Sequence, residues 1–189
     1  MAYAIIQPPF TLQFRNMSKD DILEYGKWFH QVVPDRIKEL TKYVNSTPDY
    51  ESWTPDLSPG SLGILGNWFE GQVEDRDKTI EEIEETRSKL IFPVDIPDKE
   101  LTNESFSLSM DIGMYFGQVI LNNIAGAKWE QELKNQKLAD YGQPVIFGSG
   151  VVALNPVRVI IMTAYGILNK KPAKLKDLYD IWEQMLNPV

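Results

Sequence analysis

Apolar residues recur at three- and four-residue steps through Ile22, Tyr25, Phe29, Val33, Ile37, Leu40 and Val44. That spacing puts them on one face of an α-helix. Ser18, just ahead of Lys19, Asp20 and Asp21, supplies an N-cap and first-turn acids. Pro34 predicts a break or kink within this helix. Upstream, Ala2 to Phe14 reads as extended chain interrupted by Pro8-Pro9, and Phe10 to Phe14 alternates as an edge strand does. Thr47-Pro48 through Ser58-Pro59-Gly60 is a loop of turn formers, with Tyr50 and Trp53 to pin it to the body. A second helix opens at Ser58 with Pro59 in its first turn and carries Leu62, Leu65, Trp68, Phe69 and Val73. Glu74 to Leu90 is highly charged, with Ile80, Ile83 and Leu90 among its few apolar positions, and predicts a solvated helix held by a narrow stripe. Pro93 and Pro97 mark a connector.

The second half is more apolar. Leu101 to Glu104 reads as a helix start. Leu108, Ile112, Tyr115, Phe116, Val119, Ile120 and Ile124 then form a broad apolar face, with Gly126 suited to the helix end. Gly113 and Gly117 clear one stripe of side chains for close packing of this helix on a sheet. Lys128 to Lys134 alternates weakly around Trp129 and Leu133, as a partly exposed strand would. Asn135 to Gly142 is a turn, and Pro144 to Phe147 is a short buried-type strand. Gly148-Ser149-Gly150 ends or bulges it, and Val151 to Leu154 extends the pairing as a hairpin. Val157 to Leu168 is nearly all apolar and fits either a buried helix or a strand; the cap-like Asn155-Pro156 selects the helix. Pro172 precedes a last amphipathic helix with Leu175, Leu178, Tyr179, Trp182 and Met185. The pattern predicts an α+β fold, residues 1–189 as one domain, with several helices packed on a small, mainly antiparallel sheet.

Gly26, Trp28, Phe29, Val33, Asp35 and Arg36 are echoed at constant offset by Gly66, Trp68, Phe69, Val73, Asp75 and Arg76. Two copies fall short of a repeat array. The echo reads either as a duplicated helix unit or as two helices that converged on Trp-Phe anchors, and the second reading is preferred.

Composition narrows the chemistry. The 189 residues contain no cysteine and one histidine, so thiolate catalysis, disulfides and multi-histidine metal sites within the chain are excluded. Hydrophobic content of 43% and aromatic content of 11% argue for a globular chain. No apolar run approaches the roughly 20 residues needed to span a bilayer. Met1 to Phe14 lacks the features of a secretory signal, so a cytoplasmic location is expected. A net charge of −8 disfavours nucleic-acid binding, where a basic footprint supplies much of the affinity. It suits a basic protein partner, and it equally suits plain solubility.

Few residues suggest chemistry. His30 would need a nucleophile and an orienting carboxylate to act as a base, and the sequence nominates neither. Asp111 lies in an apolar helical run, where it could be desolvated and act as an acid or base, pair with Arg158, cap a neighbouring element or face water. Gln118 lies seven residues on, on the same side of the helix, so the two could line a groove. Gly148-Ser149-Gly150 lacks the full pattern of a phosphate loop. Asp75 to Asp77 and the acidic run Glu81 to Glu85 read as a solvated face rather than a cation site. Trp129 and Tyr141 flank the predicted hairpin and would serve as interface anchors if exposed, as core if buried. No catalytic set, metal site or cofactor is predicted. Asp111, Tyr115, Gln118, Trp129 and Tyr141 form the candidate partner-binding set.

The ordered series Trp28-Phe29, Pro34 to Ile37, Ser61-Leu62, Trp68-Phe69, Asp111 to Gly117, Lys128-Trp129, Gln143 to Val145 and Asn155-Pro156 resembles a group of uncharacterised small bacterial cytoplasmic proteins. The resemblance runs over most of the chain. In that group a Glu often stands where this chain has Gln118, a departure that weakens acid-base chemistry at that position. Such proteins are similar in character to immunity proteins of bacterial toxin systems, which bind and neutralise a toxin domain. The resemblance implies a non-catalytic protein-binding module with a basic toxin domain as partner. Two other readings remain open: a carboxylate-dependent hydrolase with Asp111 in a cleft, and an oligomeric scaffold with Trp28 and Trp68 at a subunit interface.

Overall fold

The buried helix α4 (Asn103–Asn123) forms the axis around which four other helices pack. Every residue from Ser107 to Gly117 is buried, the polar Ser107, Ser109 and Asp111 among them. The computed structural model describes residues 3–90, 92 and 94–188, so Ala2 and Pro93 of the sequence reading lie outside the described residues. The class is α+β. Its other helices are α1 (Lys19–Asn45), α2 (Pro59–Glu70), α3 (Ile80–Ser88), α5 (Pro156–Leu168) and α6 (Leu175–Leu186). The strands form two separate antiparallel pairs: β1 (Asp75–Asp77) with β2 (Lys99–Leu101), and β3 (Lys128–Gln131) with β4 (Pro144–Phe147). The small antiparallel sheet expected beside the helices is present as two two-stranded ladders.

On one side of α4, Leu108, Ile112, Phe116 and Val119 share a buried cluster with Leu40 and Val44 of α1 and with Leu62, Leu65 and Phe69 of α2. Ile160 and Ala164 of α5 and Leu175 and Tyr179 of α6 complete it. On the other side, Met110 and Met114 meet Tyr25, Phe29 and Val33 of α1 and Ile6 of the N-terminal segment. Because α1 contributes to both clusters, it is anchored on either side of Pro34. That anchoring explains why the helix runs on through the proline where a break was expected: packing offsets the lost backbone hydrogen bond.

Local chemistry fixes the element ends. Ser18, Ser58, Thr79, Thr102 and Asn155 each accept a backbone N–H as N-caps. The 46–58 loop is pinned by Trp53, whose Nε1 donates to the Ser61 carbonyl at 3.1 Å. The expected helix over 74–90 begins instead as β1. Arg76 explains the difference: it binds Glu82 at 2.7 and 3.0 Å and also pairs with Glu100, tying strand, helix and strand together. Thr79 and Glu82 then close a capping box for α3, a helix with no buried residue. Phe10 to Phe14 forms no strand. Its alternation places Phe10 and Phe14 edge-on against Tyr25, at 5.7 and 4.9 Å between ring centroids. The echo ends in different structures, since Asp35 and Arg36 are helical while Asp75 and Arg76 form a strand; convergent anchoring accounts for that better than duplication.

Two close approaches set where α5 and α6 sit. A Cβ on Gly113 would lie 2.6 Å from the Val157 Cα, so the first turn of α5 rests directly on α4. Gly117 faces the Trp129 ring of β3, at 2.5 Å from a Cβ placed there. The glycine stripe therefore packs on a helix as well as on a strand residue. The loop after β4 crosses the end of α6, with Gly150 N donating to the Leu186 carbonyl at 3.1 Å. The predicted hairpin extension is a single bridge, Ile146 to Leu154. Among the described residues, no helix is long and apolar enough to cross a membrane.

Gly113→Ala is expected to destabilise the fold by about 2 kcal/mol, since backbone rather than a movable side chain fills the site. Gly63→Ala in α2, where nothing lies within 4 Å, is expected to stabilise by about 0.5–1 kcal/mol. Denaturant unfolding of both variants checks the pair, and equal effects would contradict the packing described.

Candidate functional site

Asp111 does not line a cleft. Its side chain is 0% exposed and pairs with Arg36 of α1, itself 13% exposed, at 2.7 Å. Arg36 reaches both carboxylate oxygens, with Nε at 2.8 Å from Oδ1 and Nη2 at 2.7 Å from Oδ2, a fork geometry that holds the pair rigidly. Tyr3 donates its phenol proton to Asp111 Oδ2 at 2.5 Å and accepts from Arg36 at 2.9 Å. With that proton committed, the Ser107 hydroxyl donates to Tyr3 at 2.9 Å, and Ser107 accepts the Ile6 backbone N–H at 2.8 Å. Arg36 also binds the Ala4 carbonyl at 2.7 Å. The network thus straps the N-terminal segment across α1 and α4. Burial pushes the Asp111 carboxyl above its ordinary value, while Arg36 and Tyr3 pull it back. Burial also weighs against the Arg36 charge, but the hydrogen bond and charge of Asp111 outweigh it and hold the guanidinium above its usual value. Arg158, the partner considered from sequence, pairs with Asp140 at 3.1 Å instead.

The other members of the candidate set are dispersed. Tyr115 is fully buried and lies 2.7 Å from the Ser61 hydroxyl, accepting the Leu57 N–H at 3.2 Å; it pins the 46–58 loop. Tyr141 is buried. Trp129 is half-buried between Phe29, His30 and Gly117, and its indole N–H finds no acceptor among the described residues. Gln118 is half-buried. Asp111, Tyr115 and Tyr141 are buried inside the chain and offer little exposed surface for contact. His30 is exposed, and partial burial lowers its pKa. Trp68 is buried within the chain, and half-buried Trp28 packs on Phe10 and Tyr25. Among the described residues, no group of three or more His, Asp or Glu side chains is placed to hold a metal ion.

What the sequence reading missed lies on α5 and α6. Asn155 starts α5 by accepting the Arg158 N–H at 3.0 Å. Its amide donates to Asp140 and Gln143 at 2.8 and 2.9 Å, tying α5 to the turn before β4. Of the thirteen residues of α5, only Pro156, Ile160 and Ala164 are fully buried. Val159, Met162, Thr163 and Gly166 of α5 and Leu178 and Trp182 of α6 line an open groove of about 550 Å³, with Arg158, Lys171 and Pro172 at its margins. Met162 is 64% exposed, and Ile181 on the outer side of α6 is 55% exposed. A nearly all-apolar helix was expected to be buried; here it is a surface helix with an uncovered apolar face. The chain matches no protein-family model, no curated protein and no solved structure.

Two outcomes test the buried network. Asp111→Ala is expected to cost about 3–5 kcal/mol, because Arg36 is left uncompensated, and Tyr3→Phe about 1–2 kcal/mol. The double variant Arg36→Met/Asp111→Leu should cost less than Asp111→Ala alone; a larger loss on denaturant unfolding would contradict that account.

The second test uses pH. Burial, and then the Asp111 charge, holds the Tyr3 phenol well above its ordinary value, and burial does the same for Tyr25. In the unfolded chain both ionise near pH 10, roughly. The folded state keeps protons that the unfolded state sheds, so stability is full below about pH 10 and falls as pH rises further. The unfolding midpoint should drop above that pH, and the drop should be shallower in Tyr3→Phe/Tyr25→Phe.

Proposed function

We propose that this protein acts by stoichiometric contact with another protein, without making or breaking bonds, and that the α5–α6 face is the contact. The observation that carries this reading is the uncovered apolar groove between Val159, Met162, Leu178 and Trp182. Contiguous apolar surface on a monomer marks interaction sites more often than it marks nothing. The immunity-type role suggested by resemblance fits this mode of action, and the net charge of −8 would steer a basic toxin domain towards the chain. The hydrolase alternative loses its motive, since Asp111 is sealed in an ion pair rather than set in a cleft.

Met162→Glu/Ile181→Glu places two charges on the proposed contact without touching the core. Capture from the native host, followed by calorimetry on the recovered partner, is expected to show one-to-one binding for the unaltered chain. Affinity should fall at least about 100-fold for the variant, with the thermal midpoint kept. Binding of no native protein at micromolar concentration would count against the reading.

A further inference from the structure

The groove carries a charge signature opposite to that of the chain. No carboxylate lines it, although the molecule has 27 acidic residues against 19 basic ones. Two nearby acids of α6 are paired with lysines, Asp177 with Lys174 at 3.7 Å and Asp180 with Lys176 at 2.6 Å, while Glu183, outside the groove lining, accepts only the neutral Tyr179 hydroxyl at 3.0 Å. Lys170 and Lys171 follow the last turn of α5 and join no ion pair among the described residues. The stem of Lys171 lies over Gly166, which keeps this end of the groove low. At the opposite end Arg158 gives one nitrogen to Asp140 and retains further N–H donors. From Arg158 to Gly166 the helix advances about 12 Å, at 1.5 Å per residue.

Resting on the protein-binding reading, we infer that the groove receives an amphipathic helical segment of a partner protein, apolar on one face and acidic at both ends. Its apolar side chains recur at i, i+3 or i+4 and i+7 and lie over Met162, Gly166, Leu178 and Trp182, the helix-in-groove mode of recognition. Its carboxylates stand about 12 Å apart, roughly eight residues along a helix, one meeting Lys171 and one meeting Arg158. The scale of the interaction separates this from the steering by net charge. The whole-molecule field is screened within about 10 Å in ordinary salt, so the seated segment responds to the cations beside it.

The test uses the full chain and two fluorescein-labelled peptides of equal helicity, alike in their apolar face. One carries Glu at both flanks eight residues apart, the other Lys. Fluorescence anisotropy is expected to show the Glu-flanked peptide binding at least 10-fold tighter. Lys171→Glu should reduce that preference at least 5-fold, and Met162→Glu should abolish binding of either peptide. Equal binding of both peptides, lost in Met162→Glu, would overturn the acidic-flank inference while leaving the α5–α6 face as a contact. Binding of neither peptide also overturns it; the protein-binding reading then fails only if capture of a native partner is indifferent to Met162→Glu/Ile181→Glu. Sedimentation showing a dimer that Met162→Glu dissociates would make a second copy the occupant and overturn the inference as well.

Discussion

The ion pair between Arg36 and Asp111 is the constraint on which the helical core rests. A carboxylate with no exposed surface is tolerated only when its charge and lone pairs are met, because the desolvation cost runs to several kcal/mol. Here the guanidinium fork meets both oxygens and the Tyr3 hydroxyl adds a third bond. These bonds set the register of α1 against α4, since a slip of either helix would strand a charge. They also bring the N-terminal segment into the core, where Ile6 packs on Met110 and Met114. Specificity, more than net stability, is what such a pair supplies: apolar packing alone would accept several offsets between two helices.

With α1 spanning both clusters, α2, α5 and α6 close the larger one around its C-terminal half. Gly113 lets the start of α5 touch α4, and Leu175, Tyr179 and Leu186 bring α6 into the same cluster. Little remains to cover the outer side of α5. The β1–α3–β2 arm lies elsewhere, held by Arg76 and by Ser105 bonds to the Glu74 backbone at 2.8 and 3.1 Å. Uncovered apolar surface on α5 therefore follows from how the elements are connected and placed.

Much of this was legible in the sequence, and the failures have physical causes. Periodicity located α1, α2, α4 and α6, the Asn155-Pro156 cap selected a helix for α5, and the caps Ser18 and Ser58 stood where the side-chain chemistry required. The β3–β4 hairpin followed from alternation around Trp129. The start of β1 was missed because a strand held by ion pairs from Arg76 has no apolar alternation to display. Phe10 to Phe14 misled because aromatic side chains filling a niche beside Tyr25 mimic the period of a strand. The burial of three members of the contact set could not be read from the sequence, for a different reason. Asp111, Tyr115 and Tyr141 are polar or amphipathic residues in apolar surroundings, and sequence cannot distinguish a buried fastener from an exposed anchor. The partner of Asp111 lies 75 residues away in α1, and no local pattern points to it.

The composition of α5 is not explained by the fold. A helix with three fully buried positions among thirteen needs one apolar stripe, and polar residues elsewhere would serve solubility better. Val159, Ile161 and Ile167 pack partly buried against the core, and Met162 carries the apolar character out to the surface. Against water, Met162 gains little from folding, since it stays largely exposed in the folded state. A position that contributes little to folding, and whose exposure invites aggregation, is retained most simply if something covers it. Lys171 lines the same groove, so the cation and the exposed Met162 would be covered together by the proposed helix. Both features have a purpose once a complementary helix is seated there, and neither is required by the core that Arg36 and Asp111 organise.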